Sequence, residues 1–328
     1  MHKNHIQYLH CLECSSTLEY KDTEDKNNLI ISGVLQCSKC NETYDIKDGI
    51  PRFVPQSNYA DSFGMQWNIH NKDQHDKFSN IKSSQERFEN ETKWDKDLSG
   101  EIIIEAGCGA GRFTQFAADT NAMVLSIDYS NAVEATYMHH GDKENVLIVQ
   151  ADIYNMPFND NIADKIYCFG VLQHTPDSKE SLTALTKKLK VEGKIAADNY
   201  PFLNTTWFNT KYWVRPITKR LNHKLLYWWC KQHVKIMWPI FKLNRKIFLP
   251  KRANRINWRL LVPDYTSTGL SDEKIKEWAV MDLFDMLSPA YDNPVRLETF
   301  QKWFEELGYK DIDVHMGYNG CEGRGTKC

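Results

Sequence analysis

The reading of this chain turns on "IIIEAGCGAGRF", residues 102–113. Three isoleucines lead through Glu105 into a turn with glycines at alternate positions, Gly107, Gly109 and Gly111. A strand that runs into a glycine-rich turn and then a helix often holds a nucleotide against bare backbone. The dinucleotide fingerprint, however, is G-x-G-x-x-G, where a helix N-terminus meets a pyrophosphate. The G-x-G-x-G spacing departs from it. With an acidic residue before the turn, it suits a ligand without phosphate, whose flat and cationic parts lie against the backbone.

Short β-branched runs then alternate with helical stretches. Strands are predicted at 102–106, 123–128, 146–150, 165–169 and 194–198. Helices are predicted in "GRFTQFAADT", "SNAVEATYMHH" and "DSKESLTALTKKLK" between them. Two later helices, "SDEKIKEWAVMDLF" and "RLETFQKWFEELG", precede a strand in "DIDVHMG" and a return in "EGRGTK". This alternation predicts an α/β fold with a parallel sheet covered on both faces. Ligands bind such sheets beyond the carboxyl ends of the strands. Asp128 ends the second strand, where a carboxylate can accept hydrogen bonds from both hydroxyls of a ribose, or alternatively cap the next helix. Asp152 follows the third strand and can take an exocyclic amine, with Ile153 and Met156 as apolar walls for a purine.

Four stretches in order, "IIIEAGCGAGRF", "LSIDYS" (125–130), "QADIYNMPF" (150–158) and "FGVLQHTPD" (169–177), resemble the class I S-adenosylmethionine-dependent methyltransferases of the type 11-like kind. The resemblance covers about residues 100–200 and the C-terminal end. It implies a Rossmann-like, seven-stranded, mostly parallel sheet with helices on both faces, and S-adenosylmethionine as cofactor. Glu105, Gly107 and Gly109 are implied on its methionine and ribose side, Asp128 at the ribose, and Asp152 and Ile153 at the adenine, with Cys108 and Tyr129 also in the implied cofactor set. Phe169 and Gly170 complete the implied cofactor set. His174 follows the fourth strand and is the candidate general base for an acceptor; it could instead order its loop or line the cofactor pocket.

Two CxxC knuckles, "CLEC" (11–14) and "CSKC" (37–40), have the spacing of a four-thiolate zinc ribbon. Cys11, Cys14, Cys37 and Cys40 would close a tetrahedron around a structural Zn2+, leaving no open position for catalytic water. Some 50 residues have too little core to fold alone, so the metal would supply the missing free energy. "CLEC…LQCSKCNETYDIKDGIPRF" resembles the small zinc-ribbon proteins that activate tRNA and translation-factor methyltransferases, here fused to the enzyme.

The net charge of −2 hides an asymmetry. Residues 201–263 carry 14 Lys and Arg and no acid, while the remainder carries 27 basic and 43 acidic residues. The expected organisation is a zinc ribbon (1–56), a helical linker capping the cofactor site (57–99), a methyltransferase core (100–200), a basic aromatic helical insertion or lid (201–263) and the end of the core (264–328). Within the linker, Phe63, Trp67, Phe88 and Trp94 are expected to pack on the core. In the insertion, Lys224, Lys231, Lys235, Lys242 and Lys246 form one helical stripe, which Pro239 should kink or split. Such a helix with tryptophans suits a passive lid, an anionic membrane surface or an RNA backbone.

No run of about 18 apolar residues exists to span a membrane, and the N-terminus lacks a secretory core, so a cytoplasmic protein is expected, with peripheral membrane contact as an option. The expected function is methyl transfer to a small or lipid-linked acceptor, a glycan hydroxyl foremost. RNA base methylation, a non-catalytic cofactor-binding scaffold and aminopropyl transfer are the rivals. "NYPF" at 199–202 is not the N-P-P-[FY] motif of amino-methylating DNA enzymes, because Tyr200 replaces proline and the motif belongs after the fourth strand. Loop residues Asp282, Asp285, Ser288, Tyr291 and Asp292 could bind sugar hydroxyls or merely shape a turn.

Overall fold

The computed structural model describes residues 1–26, 29–55, 57–79 and 81–328. They fold into two units, one made of Met1–Phe202 with Tyr291–Cys328, the other of Leu203–Ala290.

The first unit is built on one sheet of eleven strands: β1 (Leu18–Lys26), β2 (Leu29–Cys37), β3 (Thr43–Lys47), β4 (Ile50–Arg52), β5 (Ile102–Ala106), β6 (Met123–Asp128), β7 (Val146–Gln150), β8 (Ala163–Cys168), β9 (Leu189–Asn199), β10 (Tyr309–Met316) and β11 (Cys321–Lys327). Their order is β1-β2-β3-β4-β7-β6-β5-β8-β9-β11-β10. From β7 to β9 every pairing is parallel, and β11 is inserted antiparallel between β9 and β10. This seven-strand block is the expected mostly parallel core.

The sheet is four strands longer than expected, because the cysteine-bearing N-terminus continues it. β4 runs parallel to β7, with Arg52 opposite Gln150. The Phe53 N–H donates to the Gln150 carbonyl at 2.8 Å, and Arg52 Nη1 donates to Gln150 Oε1 at 2.9 Å. An edge strand left open would present unpaired backbone groups, and the ribbon covers that edge. It also shares a core. Leu9, Leu35 and Ile46 belong to the same buried cluster as Leu147, Val149 and Met156. Residues of the ribbon and of the α/β domain thus bury one another in a single cluster, in addition to whatever a metal supplies.

Alternation along each strand sends successive side chains to opposite faces. Ile104, Leu125 and Ile166 pack with Leu182, Leu185, Phe300 and Phe304. Ile103, Val124 and Tyr167 pack on the other face with Phe88, Phe113 and Ala117. Helix Ser178–Lys188 is capped by Asp177, which accepts from Lys179 N at 2.8 Å and Glu180 N at 2.9 Å. Aminopropyl transfer expects a pair of cleft aspartates for a polycation, and the one that "FGVLQHTPD" offers, Asp177, is exposed and accepts these cap bonds.

The second unit is helical: Thr210–Thr218, His223–Ile247, Pro250–Arg259 and Asp272–Leu287. It runs on to Ala290, beyond the acid-free stretch, because Ile275, Ala279, Leu283 and Phe284 of its last helix are buried as part of its interior. Helix His223–Ile247 continues through Pro239 unsplit. Stacking of Trp238 on Phe241, with centroids 4.4 Å apart and planes at 9°, holds the chain on both sides of the lost backbone bond.

Candidate active site

The glycine turn sits at the carboxyl end of β5, and neighbouring groups fix it on every side. Gly107 N and Cys108 N donate to the Ile127 carbonyl at 2.8 and 2.9 Å. Thr136 Oγ1 donates to Gly109 O (2.8 Å), His75 Nε2 to Ala110 O (2.9 Å) and His140 Nε2 to Gly111 O (2.9 Å). Gly107 has φ +79°, and a Cβ there would lie 2.2 Å from Val171 Cγ2, so only glycine fits between the two loops. His75 and His140 are held neutral: burial pushes each down to about 4.

Glu105 lies beneath this turn, buried. Its Oε2 accepts from Thr114 Oγ1 and Ser126 Oγ, both at 2.6 Å. Burial raises its pKa, and the hydroxyls work against that shift. Cys108 is also buried, and its thiol is pushed well above the ordinary range, which removes it as a nucleophile.

Asp128 stands at the end of β6 with its carboxylate partly open. Oδ2 accepts from Gly109 N at 3.0 Å, and Oδ1 accepts from Ser130 N at 2.8 Å and Ser130 Oγ at 2.7 Å. Each oxygen has two lone pairs, so these bonds orient the group and leave room for further acceptance. Burial raises its pKa, opposed by those bonds. Asp152 is half-buried, accepts from Tyr154 N at 2.9 Å and is likewise raised by burial. Ile153 and Met156 are buried beside it.

Besides Trp67, which was expected to pack on the core, the linker contributes Asn58 and Tyr59, which the sequence reading missed. Tyr59 packs against Tyr129, with centroids 4.7 Å apart, and meets the edge of Tyr291 at 5.3 Å. Its hydroxyl is raised by burial and then by the Asp152 carboxylate, with Asp128 adding to the effect. Asn58 Nδ2 donates to Tyr129 O at 2.8 Å, and Trp67 borders Gly109. A polar segment without regular periodicity gives no sign of this in one dimension.

Beyond β8, the Phe169–Gly170 turn is tied down by Asp198, which accepts from Gly170 N at 2.6 Å and from Arg87. The Arg87 guanidinium lies 5.3 Å from the Phe113 centroid and 5.5 Å from that of Phe169. Glu91 also accepts from Arg87, and burial followed by the Asp198 and Glu322 charges pushes it up. His174 is buried between Phe63 (4.9 Å) and Tyr200 (5.3 Å). Its Nδ1 donates to Tyr291 O at 3.1 Å, so in the neutral ring Nε2 carries the lone pair. Three buried carboxamides, Gln66, Gln173 and Asn199, stand three, one and one positions along the chain from Phe63, His174 and Tyr200, and their side-chain N and O atoms have no hydrogen-bond partner among the described residues. Tyr291 and Asp292 lie in this first unit, whereas Asp282, Asp285 and Ser288 lie in the helical one.

In the ribbon, all four sulfurs lie within 4.8 Å of one another. Cys11 and Cys40 are 3.5 Å apart, as are Cys14 and Cys40, and Cys14 and Cys37 are 3.4 Å apart. Lys39 N and Cys40 N point at Cys37 Sγ (3.4 and 3.5 Å), the backbone pattern of a metal knuckle. A tetrahedral Zn2+ with four bonds of about 2.3 Å fits this donor set.

The sheet order and the glycine turn facing Asp128 have the arrangement expected of a class I methyltransferase fold. In agreement, residues 104–197 match the methyltransferase domain family. Over 138 residues the chain is 30% identical to the demethylmenaquinone methyltransferase of Staphylococcus saprophyticus, covering 37% of this chain and 59% of that one. It is 27% identical over 120 residues to the ubiquinone biosynthesis O-methyltransferase of Idiomarina loihiensis, covering 36% and 47%. The chain thus spans about half the length of the curated relatives it matches. Among solved structures it is similar to an S-adenosyl-L-methionine-dependent methyltransferase candidate of Methanococcus maripaludis, at 17% identity and TM-score 0.44, covering 84% of this chain and 96% of that one. No helix among the described residues is long and apolar enough to cross a membrane.

Proposed function

We propose that the whole chain transfers a methyl group from S-adenosylmethionine to a hydroxyl on a small or lipid-linked acceptor, of which a glycan is the foremost kind. The bound sulfonium would supply an already activated methyl. Asp128 would accept from the ribose hydroxyls, Asp152 with Ile153 would hold the adenine, and Tyr59 and Tyr129 would wall the nucleoside. The fixed backbone from Gly107 to Gly109 would carry the methionine side. His174, oriented through Nδ1, would receive the acceptor proton at Nε2. Four thiolates would hold a structural Zn2+ in the ribbon.

The observation that carries the acceptor class is the trio of buried, unsatisfied carboxamides Gln66, Gln173 and Asn199, each within three positions in the chain of His174 or of an aromatic ring packed on it. Each needs both a donor and an acceptor, and leaving them unmet costs about 1–3 kcal/mol per group. A hydroxylated acceptor meets both needs, whereas an apolar ring meets neither. The relatives are by name a demethylmenaquinone methyltransferase and a ubiquinone biosynthesis O-methyltransferase, and they support the small-molecule class alone.

The test supplies methyl-labelled S-adenosylmethionine to the purified chain with separated aqueous metabolites, lipid extract and RNA. Label in the aqueous or lipid fraction, lost in His174→Gln while cofactor binding persists, is the expected result. Label confined to RNA would replace this reading with base methylation. Cofactor binding with no transfer to any fraction would leave the scaffold.

A further inference from the structure

The helical unit has an apolar surface where a water-soluble helix bundle should have a polar one. Helix His223–Ile247 is about 37 Å long. One face is interior: Leu226, Tyr227, Cys230, Val234, Trp238 and Phe241 are buried. Nearly opposite, at helical spacings of four, seven, four, three and four, run Leu225, Trp229, Ile236, Ile240, Leu243 and Ile247. These six are 38 to 71% exposed. A second stripe of this length serves no packing inside its own unit, and contiguous exposed apolar surface marks an interaction site. The five lysines of the same helix, from Lys224 to Lys246, run along one side of the stripe, about a third of the way round. On the preceding helix Trp213 and Ile217, one turn apart, are also exposed.

Charge decides between occupants. Residues 203–290 hold 16 Lys and Arg against 6 acids. A second copy of the chain would bring this cationic face against itself. Acids within the unit are partly committed already, since Lys242 pairs with Asp272 and Arg245 with Asp264. RNA would use the lysines but has no need of an aliphatic stripe, because bases stack on aromatic rings. An anionic bilayer uses both: the isoleucines and leucines enter the acyl boundary, the lysines meet headgroup phosphates, and the tryptophans sit between.

We infer that the outer face of helix His223–Ile247 is a docking surface for an anionic membrane. It rests on the methyltransferase reading only in its purpose, the delivery of a lipid-linked acceptor. The test uses the full chain with phosphatidylcholine vesicles, with and without phosphatidylglycerol, in sedimentation and tryptophan fluorescence. Wild type should bind the anionic vesicles with a blue shift and ignore the neutral ones. Ile236→Ser/Ile240→Ser/Ile247→Ser, which keeps every charge, should weaken binding at least about tenfold, and Lys224→Glu/Lys231→Glu/Lys235→Glu by a similar or larger factor. Full binding by the isoleucine variant would reduce the contact to electrostatics and overturn the inference. So would a concentration-dependent dimer that the same variant dissolves in the absence of any vesicle binding. Calorimetry with S-adenosylhomocysteine on the same samples separates the two readings. Retained cofactor binding without vesicle binding sinks only the surface, and the reverse sinks only the methyltransferase assignment.

Discussion

Arg87, on the linker helix, donates to Asp198 at the end of β9, a partner 111 positions away. Asp198 in turn accepts from Gly170 N, so one charge pair fixes the loop that leads to His174. Arg87→Met strands Asp198 and Glu91 as buried carboxylates and should cost about 3–5 kcal/mol of stability. Urea unfolding of the single variants and of Arg87→Met/Asp198→Asn checks it: the double variant should lose less than the sum of the two. Additive losses would mean that the two side chains do not act as a pair.

Gly107→Ala should abolish S-adenosylhomocysteine binding while the protein stays folded. The added methyl would occupy space held by Val171, at a backbone conformation that alanine avoids. Calorimetry and circular dichroism on one sample are sufficient, and affinity within twofold of wild type would remove the turn from the site.

Asp128→Ala should weaken S-adenosylhomocysteine by about tenfold or more, from the loss of a charge-assisted contact of roughly 1.5–3 kcal/mol. Adenosine and deoxyadenosine competitors report the same contact from the ligand side. The wild type should prefer the ribose form, and the variant should not.

Removing zinc, or replacing Cys37 with serine, should raise hydrogen exchange across residues 1–56 and leave cofactor affinity little changed. Metal analysis of the purified chain should find about one zinc per chain. Exchange that does not respond to metal removal would show that the shared core alone holds the ribbon.

Stability should fall on acidification. Burial lowers His5, His75 and His140 to about 4, against 6.5 in the unfolded chain. Between those values the unfolded state binds protons that the native state refuses. The native advantage is therefore complete above pH 6.5 and declines as pH falls toward 4. Each histidine contributes up to about 1.4 kcal/mol per pH unit in that window. Unfolding at pH 7.5, 6 and 5 measures the slope, and His75→Gln should flatten it. An unchanged slope in the variant would show that His75 is not one of the groups responsible.

The parts of the fold written in local pattern could be read directly. β5, β6 and β7 match their expected ends, because buried parallel strands are short apolar runs bounded by turn residues. The strand β9 begins at Leu189 rather than 194, since its lysine-rich start resembles the tail of the preceding helix. The helix expected over 111–120 shrinks to Thr114–Ala118, because the glycine turn runs on through Arg112 and Phe113. Glu105, Asp128 and Asp152 stand out because they occupy strand ends. Tyr59, Arg87 and the docking of β4 on β7 do not, for their partners lie 70 to 111 positions distant or more and no periodicity marks them. The outer stripe of helix His223–Ile247 was visible as apolar residues, yet only the packed unit shows which of its two faces is covered.

The pairing of β4 with β7 has a consequence for how the ribbon works. Because the two parts share one chain, docking is intramolecular, with an effective concentration that no dilution can reduce. An activator on a separate chain would fall away at low protein levels and could be limited by its own supply. If the ribbon activates as such a separate protein does, it does so here at a fixed ratio of one to one, so specific activity should be the same at nanomolar and micromolar protein.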